Sequence, residues 1–387
     1  MIPMRRRPRT APLRSSVIVL VLITLVFTAA ALTLFVEKAG NDLLVEVRQA
    51  DARRLRQEAF SALEVTLAVL EDFRQADSGL HSSAEGWNDP LKFAEWTPSE
   101  GRTVDVAFQD ESGKIPLSHI DLPTLTNLFV YWQMAPPDAE KLADAILGWM
   151  EQGYVYATGL NPTYPDAQIA YAEPQRPMRS FSELAAVDVA KQAFFDDNGQ
   201  PNENYWRFVN DCSLYKYSQP DANGANADVM AAVGQYTDVQ QQHISDYANG
   251  TGQYANQGQQ WFQNTTTLAS VAGLGGNAAT FGTTITALRV NITVHDGQSQ
   301  YRLSVVVSPQ GGATLNSTVA TNAANAATGS AATATSQLSS TAQPSSTATS
   351  AATASAASQS INYPFTLLEL VEDDDIPLPP PPPTPPS

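Results

Sequence analysis

The hydropathy pattern opens on twenty apolar residues, Val17 to Val36 (VIVLVLITLVFTAAALTLFV), interrupted only by Thr24, Thr28 and Thr33 and free of charge, Gly and Pro. As a helix this run spans about 30 Å, the thickness of a bilayer's hydrocarbon core. The periodicity continues beyond it. Leu44, Val47, Ala52, Leu55, Ala59, Leu63, Thr66, Val69, Leu70 and Phe73 recur every three or four residues among Arg53, Arg54, Arg56, Glu58, Glu64 and Glu71, which is the spacing of one apolar helix face. No proline occurs between Val17 and Gly79, and Gly40 is the only glycine before Gly79. The pattern predicts one helix of about sixty residues, with a transmembrane half over 17–36 and an amphipathic half over 37–78 lying on a folded head.

Arg5, Arg6, Arg7, Arg9 and Arg14 accompany the start of this run with no acidic residue among them. The positive-inside bias therefore keeps residues 1–16 in the cytoplasm as a basic leader and exports the chain beyond Val36. A secretory signal peptide cut near Ala29, Ala30 and Ala31 accounts for the arginines and the apolar run. It does not account for an amphipathic helix that continues without a break.

The first part of the head, 79–118, contains Trp87, Phe93 and Trp96 and then an alternating segment, 103–108, that reads as a strand. A turn comes next, from Gln109 to Leu117. Asp121 stands as an N-cap before Leu125, Leu128, Phe129 and Trp132 at helical spacing. Pro136-Pro137-Asp138 opens a second helix with Leu142, Ile146, Trp149 and Met150 on its inner stripe. After an irregular span from Tyr154 to Pro177, Ser180-Phe181-Ser182-Glu183 has the form of a capping box ahead of Leu184 and Val187. These elements predict an inserted helical subdomain over 119–195.

The rest of the head, 196–310, begins in an Asn, Gln, Gly and Tyr-rich stretch with short helices over 227–232 and 238–247, ended near Gly234 and at Gly250. Its clearest β signal is a hairpin over 286–308. Leu288, Val290, Ile292 and Val294 alternate on one side of Asp296-Gly297, and Tyr301, Leu303, Val305 and Val307 on the other. A two-residue Asp-Gly turn would pair Ile292 with Tyr301, Val290 with Leu303 and Leu288 with Val305. Residues 311–360 are almost entirely Ala, Ser, Thr, Asn and Gln, too poor in apolar surface to offset their ordering entropy, and are expected to form a disordered surface loop. A last strand over 363–371 returns to the sheet within the segment 361–376, which ends in acidic residues, and a polyproline tail occupies 377–387. The fold expected is α+β: a long N-terminal helix on a small antiparallel sheet of strands 103–108, 286–308 and 363–371, with the helical subdomain inserted between strands.

Composition narrows the function classes. One cysteine, Cys212, excludes an internal disulfide. The formal net charge of −17 becomes about −22 once the five leader arginines are set aside, which argues against nucleic acid as a partner and leaves room for divalent cations. His81, His119, His243 and His295 sit on unrelated segments without ligand spacing. The chain has no nucleophile elbow, P-loop, dinucleotide fingerprint or His-Glu-x-x-His, so enzyme chemistry is not expected. Calcium takes oxygens from loop carboxylates and amides. The candidates are Asp221, Asn223, Asn226 and Asp228 in one glycine-containing turn, with Asp196, Asp197 and Asn198 in another. Such Asx-rich turns also form simply because Asx side chains cap their own backbone.

Three further segments carry a resemblance: Phe108-Gln109-Asp110-Glu111-Ser112-Gly113-Lys114-Ile115-Pro116-Leu117, the run Glu140 to Trp149, and the run Pro177 to Val187. In order and spacing, together with the arginine-flanked anchor, they resemble the K-type minor pseudopilins of the type II (general) secretion pathway, over roughly residues 12 to 310. Gly148-Trp149-Met150-Glu151 departs from that family's Asp-Trp-x-Asp, and Ser16 stands where Gly precedes the usual cleavage site, so prepilin peptidase would cut at Ser16-Val17.

The resemblance implies a pilin-like fold and bound calcium. It implies a single-pass inner-membrane protein with a periplasmic head, at the tip of a filament that exports folded proteins. The partners implied are the other minor pseudopilins and the major pseudopilin, with prepilin peptidase, and beyond them secreted substrates or the outer-membrane channel. If Val17 is the first mature residue the fifth is Val21, apolar where major pilins carry Glu, which suits a subunit with nothing above it. A minor pilin of a type IV pilus or competence machine, or a membrane-tethered periplasmic adaptor, are the alternative readings.

Overall fold

The computed structural model describes residues 14–99, 101–160, 171–316 and 364–373. The expectations for the leader before Arg14, for 161–170, for the tract from 317 to 360 and for the tail over 377–387 lie outside the described residues. The chain divides into two units, Met1–Glu58 and Ala59–Ser387. Helix α1, Arg14–Asp77, runs through both. It is the one helix among the described residues long and apolar enough to cross a membrane.

In the first unit α1 turns its apolar side chains outward, with Ile18, Leu22, Leu25, Phe27, Leu34 and Phe35 all exposed. The hydroxyls of Thr24, Thr28 and Thr33 donate back to the carbonyls of Val21, Leu25 and Ala29 at 2.8, 2.9 and 3.0 Å. Each polar side chain of the apolar run is thus satisfied inside the helix, as a hydrocarbon surrounding requires. In the second unit the same helix buries Ala59, Ala62, Leu63, Thr66, Leu67 and Leu70, a stripe at intervals of three and four residues.

The junction after α1 is held by Glu85. Its carboxylate accepts from the His81 backbone N–H and from Trp87 Nε1, and lies 2.7 Å from His81 Nδ1. Phe73 of α1 meets Phe93 of α2, Pro90–Phe93, at 5.1 Å between ring centroids. Trp87 meets Phe108 edge-on at 4.9 Å.

The sheet of the second unit has four antiparallel strands in the order β1-β5-β6-β8: β1 Arg102–Asp110, β5 Leu288–Asp296, β6 Ser299–Pro309 and β8 Phe365–Glu372. Val290, Ile292, Val294, Leu303 and Val305 are buried from its central strands. On the opposite face Val306 is covered by Tyr215, Tyr217, Ala287 and Ala313. Two short ladders flank the sheet. One pairs β2, Ile115–Pro116, in parallel with β3, Cys212–Ser213. The other joins β4, Tyr215–Lys216, to β7, Thr314–Leu315, and forms part of the cover over Val306.

Two expectations for this sheet are corrected. The turn of the hairpin is Gly297-Gln298, so Asp296 pairs with Ser299, Val294 with Tyr301, Ile292 with Leu303, Val290 with Val305 and Leu288 with Val307. Gly297 takes φ 59° at the first central position, where a Gly-first two-residue turn needs it. Moving a turn by one residue slides the register by two, and a slip of two keeps every side chain on its face. The apolar-opposite-apolar argument therefore could not distinguish the two turns. β1 is also longer than expected, running from Arg102 to Asp110, while β8 is a residue shorter than expected and its pairing with β6 carries a register irregularity at Val306/Val307.

Between β1 and β5 the chain builds a helical block around one hydrophobic core that reaches from Ile115 to Phe281. Its helices are α3 Leu122–Tyr131, α4 Pro136–Met150, α5 Asp188–Phe194, α6 Glu203–Asp211, α7 Ala227–Gly234, α8 Asp238–Asn249 and α9 Thr265–Ala272. The expected limit at residue 195 is too early, because Phe208, Val229, Met230, Phe262, Leu268 and Phe281 belong to the same core. Each short polar helix contributes only a few anchors, too few for a periodic signal. Asp121 caps α3 by accepting from Thr124 N at 3.0 Å, as its position predicts. Ser180 accepts from Ser182 N, but no capping box forms there. Glu183 instead accepts from Arg179 N and Trp149 Nε1 and pairs with Arg176.

Inside α4, Asp144 is fully buried and accepts from Tyr154 OH, Ala157 N, Thr158 N and Thr158 Oγ1. One carboxylate thereby gathers the loop beyond the helix. Burial alone would raise its pKa, and the Thr158 and Ala157 donors outweigh that and hold it below the usual carboxylate range.

The sheet core sets a first test. Ile292→Ala removes a fully buried side chain and is expected to lose about 2–5 kcal/mol in denaturant unfolding. Thr103→Ala, on the exposed side of β1, should stay within about 0.5 kcal/mol of the parent.

Candidate functional site

The turn after β1 is where the sheet hands the chain to the helical block, and it carries two different acidic side chains. Asp110 Oδ1 accepts from Ser112 N at 2.8 Å and Ser112 Oγ at 2.6 Å. Ser112 Oγ in turn accepts from Thr286 N at 3.0 Å, and Ser112 O accepts from Asp221 N at 2.7 Å. Tyr217 OH lies 2.9 and 2.8 Å from the carbonyls of Glu111 and Lys114. The segments leaving and re-entering the sheet are thus tied to one another and to the loop at 221.

Glu111 faces the other way, into a buried ion network. Its carboxylate meets Lys114 Nζ at 2.9 Å and Arg289 Nε at 2.6 Å. Arg289 reaches Glu369 of β8 at 3.0 Å, and Tyr215 OH donates to the same Glu369 oxygen at 2.6 Å. Burial would raise the pKa of Glu111, but Lys114 and Arg289 outweigh it and hold the carboxyl low. This network connects β1, β5, β8 and the helical block through four charges of alternating sign.

The four Asx residues expected to share a cation do not share a centre. Asp221 is fully buried, and its Oδ1 accepts from Asn223 N at 3.1 Å. Asn223 spends its amide on Phe262 N, Phe262 O and Thr283 O. Asn226 caps α7 by accepting from Val229 N, and donates to Asp211 Oδ1 at 2.6 Å. Asp228 takes a bidentate bond from Arg207 and a bond from Trp132 Nε1, with the guanidinium 5.1 Å above the Trp132 ring. The second group, Asp196, Asp197 and Asn198, is an exposed Asx turn in which Asp196 Oδ1 accepts from Asn198 N and Gln200 N.

The fold assembles two carboxylate pairs instead, Asp110 with Asp221 and Asp211 with Asp228. In the second, Arg207 provides the counter-charge. Burial would raise Asp228, and Arg207 outweighs it and holds it low. Burial together with the bond to Asp228 pushes Asp211 up to about 8. In the first pair, burial pushes Asp110 up to about 6 and carries Asp221 well above the carboxylate range. Both Oδ2 atoms of that pair are buried without a hydrogen-bond donor. No sequence pattern pairs Asp110 with Asp221 or Asp211 with Asp228, because the partners lie on different loops; Asp110 is marked only by the turn segment Phe108 to Leu117 that carries the resemblance.

Of the residues named for the calcium that the resemblance implies, Asn226 and Asp228 are spent on a helix cap and an arginine, and Asp221 faces a second buried acid, Asp110. Among the described residues no group of three or more His, Cys, Asp and Glu side chains is placed to hold a metal. His81 is engaged by Glu85, and His295 lies 3.8 Å from Asp105 on the sheet surface. Cys212 is buried, and burial pushes its thiol far up, against nucleophilic use. Ser16 and Val17 lie within α1.

This geometry sets two further tests. Gly113 has no positive φ, but a Cβ there would lie 2.3 Å from the Gly224 carbonyl carbon. Gly113→Ala should therefore lower stability by about 1–3 kcal/mol through overpacking of two backbones, read by thermal unfolding. For Asp211, the folded pKa of about 8 exceeds the unfolded value, so the folded chain holds a proton that the unfolded chain releases. The contribution of Asp211 to stability is full below about pH 4 and is lost as pH rises towards 8. Asp228 acts below that window, being held low. Asp211→Asn should reduce the slope, the raised Asp110 and Asp221 supplying the remainder, measured by melting at about pH 5 and about pH 8.

The sequence matches no family model and no curated protein at a significant level. Among solved structures, one similar chain is found in the crystal structure of the GspK-GspI-GspJ complex from the type 2 secretion system of enterotoxigenic Escherichia coli. It shares 12% sequence identity with a TM-score of 0.48, over 68% of this chain and 93% of that one.

Proposed function

We propose that this chain is a K-type minor pseudopilin, seated at the tip of a type II secretion pseudopilus, where it helps initiate and cap the filament that moves folded proteins across the outer membrane. The observation that carries the reading is α1. One uninterrupted helix begins as an outward-facing apolar run with its threonines satisfied internally and ends as a stripe buried in the head. A helix built so serves as both anchor and spine. The head adds a four-stranded antiparallel sheet whose first two neighbours, β1 and β5, are separated in sequence by the whole helical block.

On this reading the arginine leader stays in the cytoplasm and the head lies in the periplasm. The outward apolar side chains of α1 pack against lipid and against the corresponding helices of the other minor pseudopilins and the major pseudopilin. The bulk of the helical block and the apolar Val21 suit a terminal subunit. The acidic head disfavours nucleic acid and hence a DNA-uptake pilus. Contacts with secreted substrates or the outer-membrane channel would fall to the helical block. No covalent chemistry is required of the chain beyond its own processing.

The test is the mass and N-terminal sequence of the full-length protein recovered from membranes of cells with and without prepilin peptidase. A mature start at Val17 that depends on the peptidase is the expected result. A start at Met1 in both strains would make the chain an ordinary anchored periplasmic protein, and a start near Ala31 or Leu32 would make the apolar run a signal peptide.

A further inference from the structure

We propose that the outer edge of β8 is a strand-docking site. It takes an extended segment of a partner polypeptide, antiparallel, with apolar side chains at alternate positions and basic residues where it passes Glu372 and Asp373. β8 ends the sheet order, so among the described residues the backbone groups it turns away from β6 meet no further strand. Natural sheets guard such an edge with charge, proline or short length, because unpaired N–H and C=O groups recruit another chain. The two edges of this sheet are built differently. On β1 the exposed positions are Thr103, Asp105, Ala107 and Gln109. On β8 they are Thr366, Leu367 and Leu370, with the two leucines 47% and 41% exposed.

The run Thr366-Leu367-Leu368-Glu369-Leu370-Val371 has one charge and neither Gly nor Pro. That charge does not guard the edge, because Glu369 is spent on Arg289 at 3.0 Å and on Tyr215 OH at 2.6 Å. The register irregularity adds to the effect. Leu370 stands opposite Val305 and Leu367 opposite Val307. Opposed residues share a face, and so does every second residue along β6. The bulge therefore brings Leu367 and Leu370 onto one face although they are three apart. It is the face on which Leu303, Val305 and Val307 are buried. The apolar layer of the sheet thus continues onto β8 and meets solvent there. A fifth strand would extend both the hydrogen-bond ladder and that layer.

The direction and charge of the occupant follow from the strand itself. The pairs β1-β5, β5-β6 and β6-β8 are all antiparallel, and antiparallel addition sets the N-terminal end of the occupant beside the C-terminal end of β8. There the chain reads Glu372-Asp373-Asp374-Asp375, with no basic residue from Phe365 onward. A basic end is attracted at that point and an acidic one repelled. Strand addition takes its affinity from main-chain bonds and its selectivity from alternate side chains. The site is independent of the pseudopilin reading, so N-terminal sequencing and a peptide titration fail separately.

The probe is a synthetic peptide, Lys-Arg-Thr-Val-Thr-Val-Thr-Val-Thr, labelled at its C-terminus and titrated into the full chain in detergent. Binding is read by fluorescence anisotropy and its place by backbone amide exchange. Saturable binding is expected, with slowed exchange over 365–372 and weaker affinity in high salt. Replacing Lys-Arg by Glu-Glu, or the central Val by Pro, which removes a ladder N–H, should each lower affinity about tenfold. Leu370→Lys and Leu367→Lys, both at exposed positions, should melt with the parent and bind the peptide as weakly. Thr103→Lys, on the opposite edge, should bind like the parent. A parent that shows no saturable binding, or a Leu370→Lys chain that binds as the parent does, would overturn the proposal. Two other occupants would also overturn it. A second copy would appear as self-association, by light scattering, that Leu370→Lys abolishes. The chain's own segment 317–363 would appear as peptide binding only after residues 320–358 are deleted.

Discussion

The fold turns on one constraint: β1 must find its sheet neighbour β5 after the chain has built the entire helical block. Glu111 and Arg289, 178 residues apart, stand at the two ends of that excursion and touch. A loop of that length closes at a cost that grows only logarithmically, so the excursion itself is tolerable. It still needs a place where departure and return are held together. Ser112 supplies part of it, with its hydroxyl accepting from Thr286 N and its carbonyl from Asp221 N. The Glu111 network supplies the rest and extends it to β8.

Buried charges at such a junction are an expensive way to fasten two layers. Replacing a buried ion network with apolar side chains of similar volume is often neutral or stabilising, whereas deleting one member leaves the others unpaired. Here the network sits where strands and loops converge with different backbone directions, and directional bonds from Arg289 to Glu111, Ser304 and Glu369 fix their relative positions. The helical block solves its own positioning problem similarly, with Asp144 collecting a loop and Glu183 collecting another. Single carboxylates, Asp144 buried and Glu183 half-buried, organise backbone that has too few apolar residues to organise itself.

The two aspartate pairs show how one local chemistry acquires two characters. Asp228 and Asp211 have Arg207 beside them and a Trp132 ring beneath it, and Asp211 Oδ2 is buried without a hydrogen-bond partner. Asp110 and Asp221 have hydroxyl, amide and backbone donors on one oxygen each and none on the other. The same residue type thus has an arginine as partner in one place and a second buried acid in the other.

The sequence by itself determined the long helix, because an uncharged run of twenty residues continued by an unbroken three-to-four spacing has no other economical structure. It determined the strands near 103, 288, 301 and 365, the cap at Asp121, and the apolar face of the hairpin, all of which depend on residues close in the chain. Tertiary structure alone decided the hairpin register, since Asp-Gly and Gly-Gln turns place the same side chains on the same face and differ only in which pairs meet. It decided that the helical block extends to Phe281, because its later helices contribute isolated anchors that acquire meaning only when they share a core. It also decided which acidic residues come together. Asp110 with Asp221, and Asp211 with Asp228, are partners across loops, and the counter-charge that separates their roles comes from Arg207, whose direction no local pattern encodes.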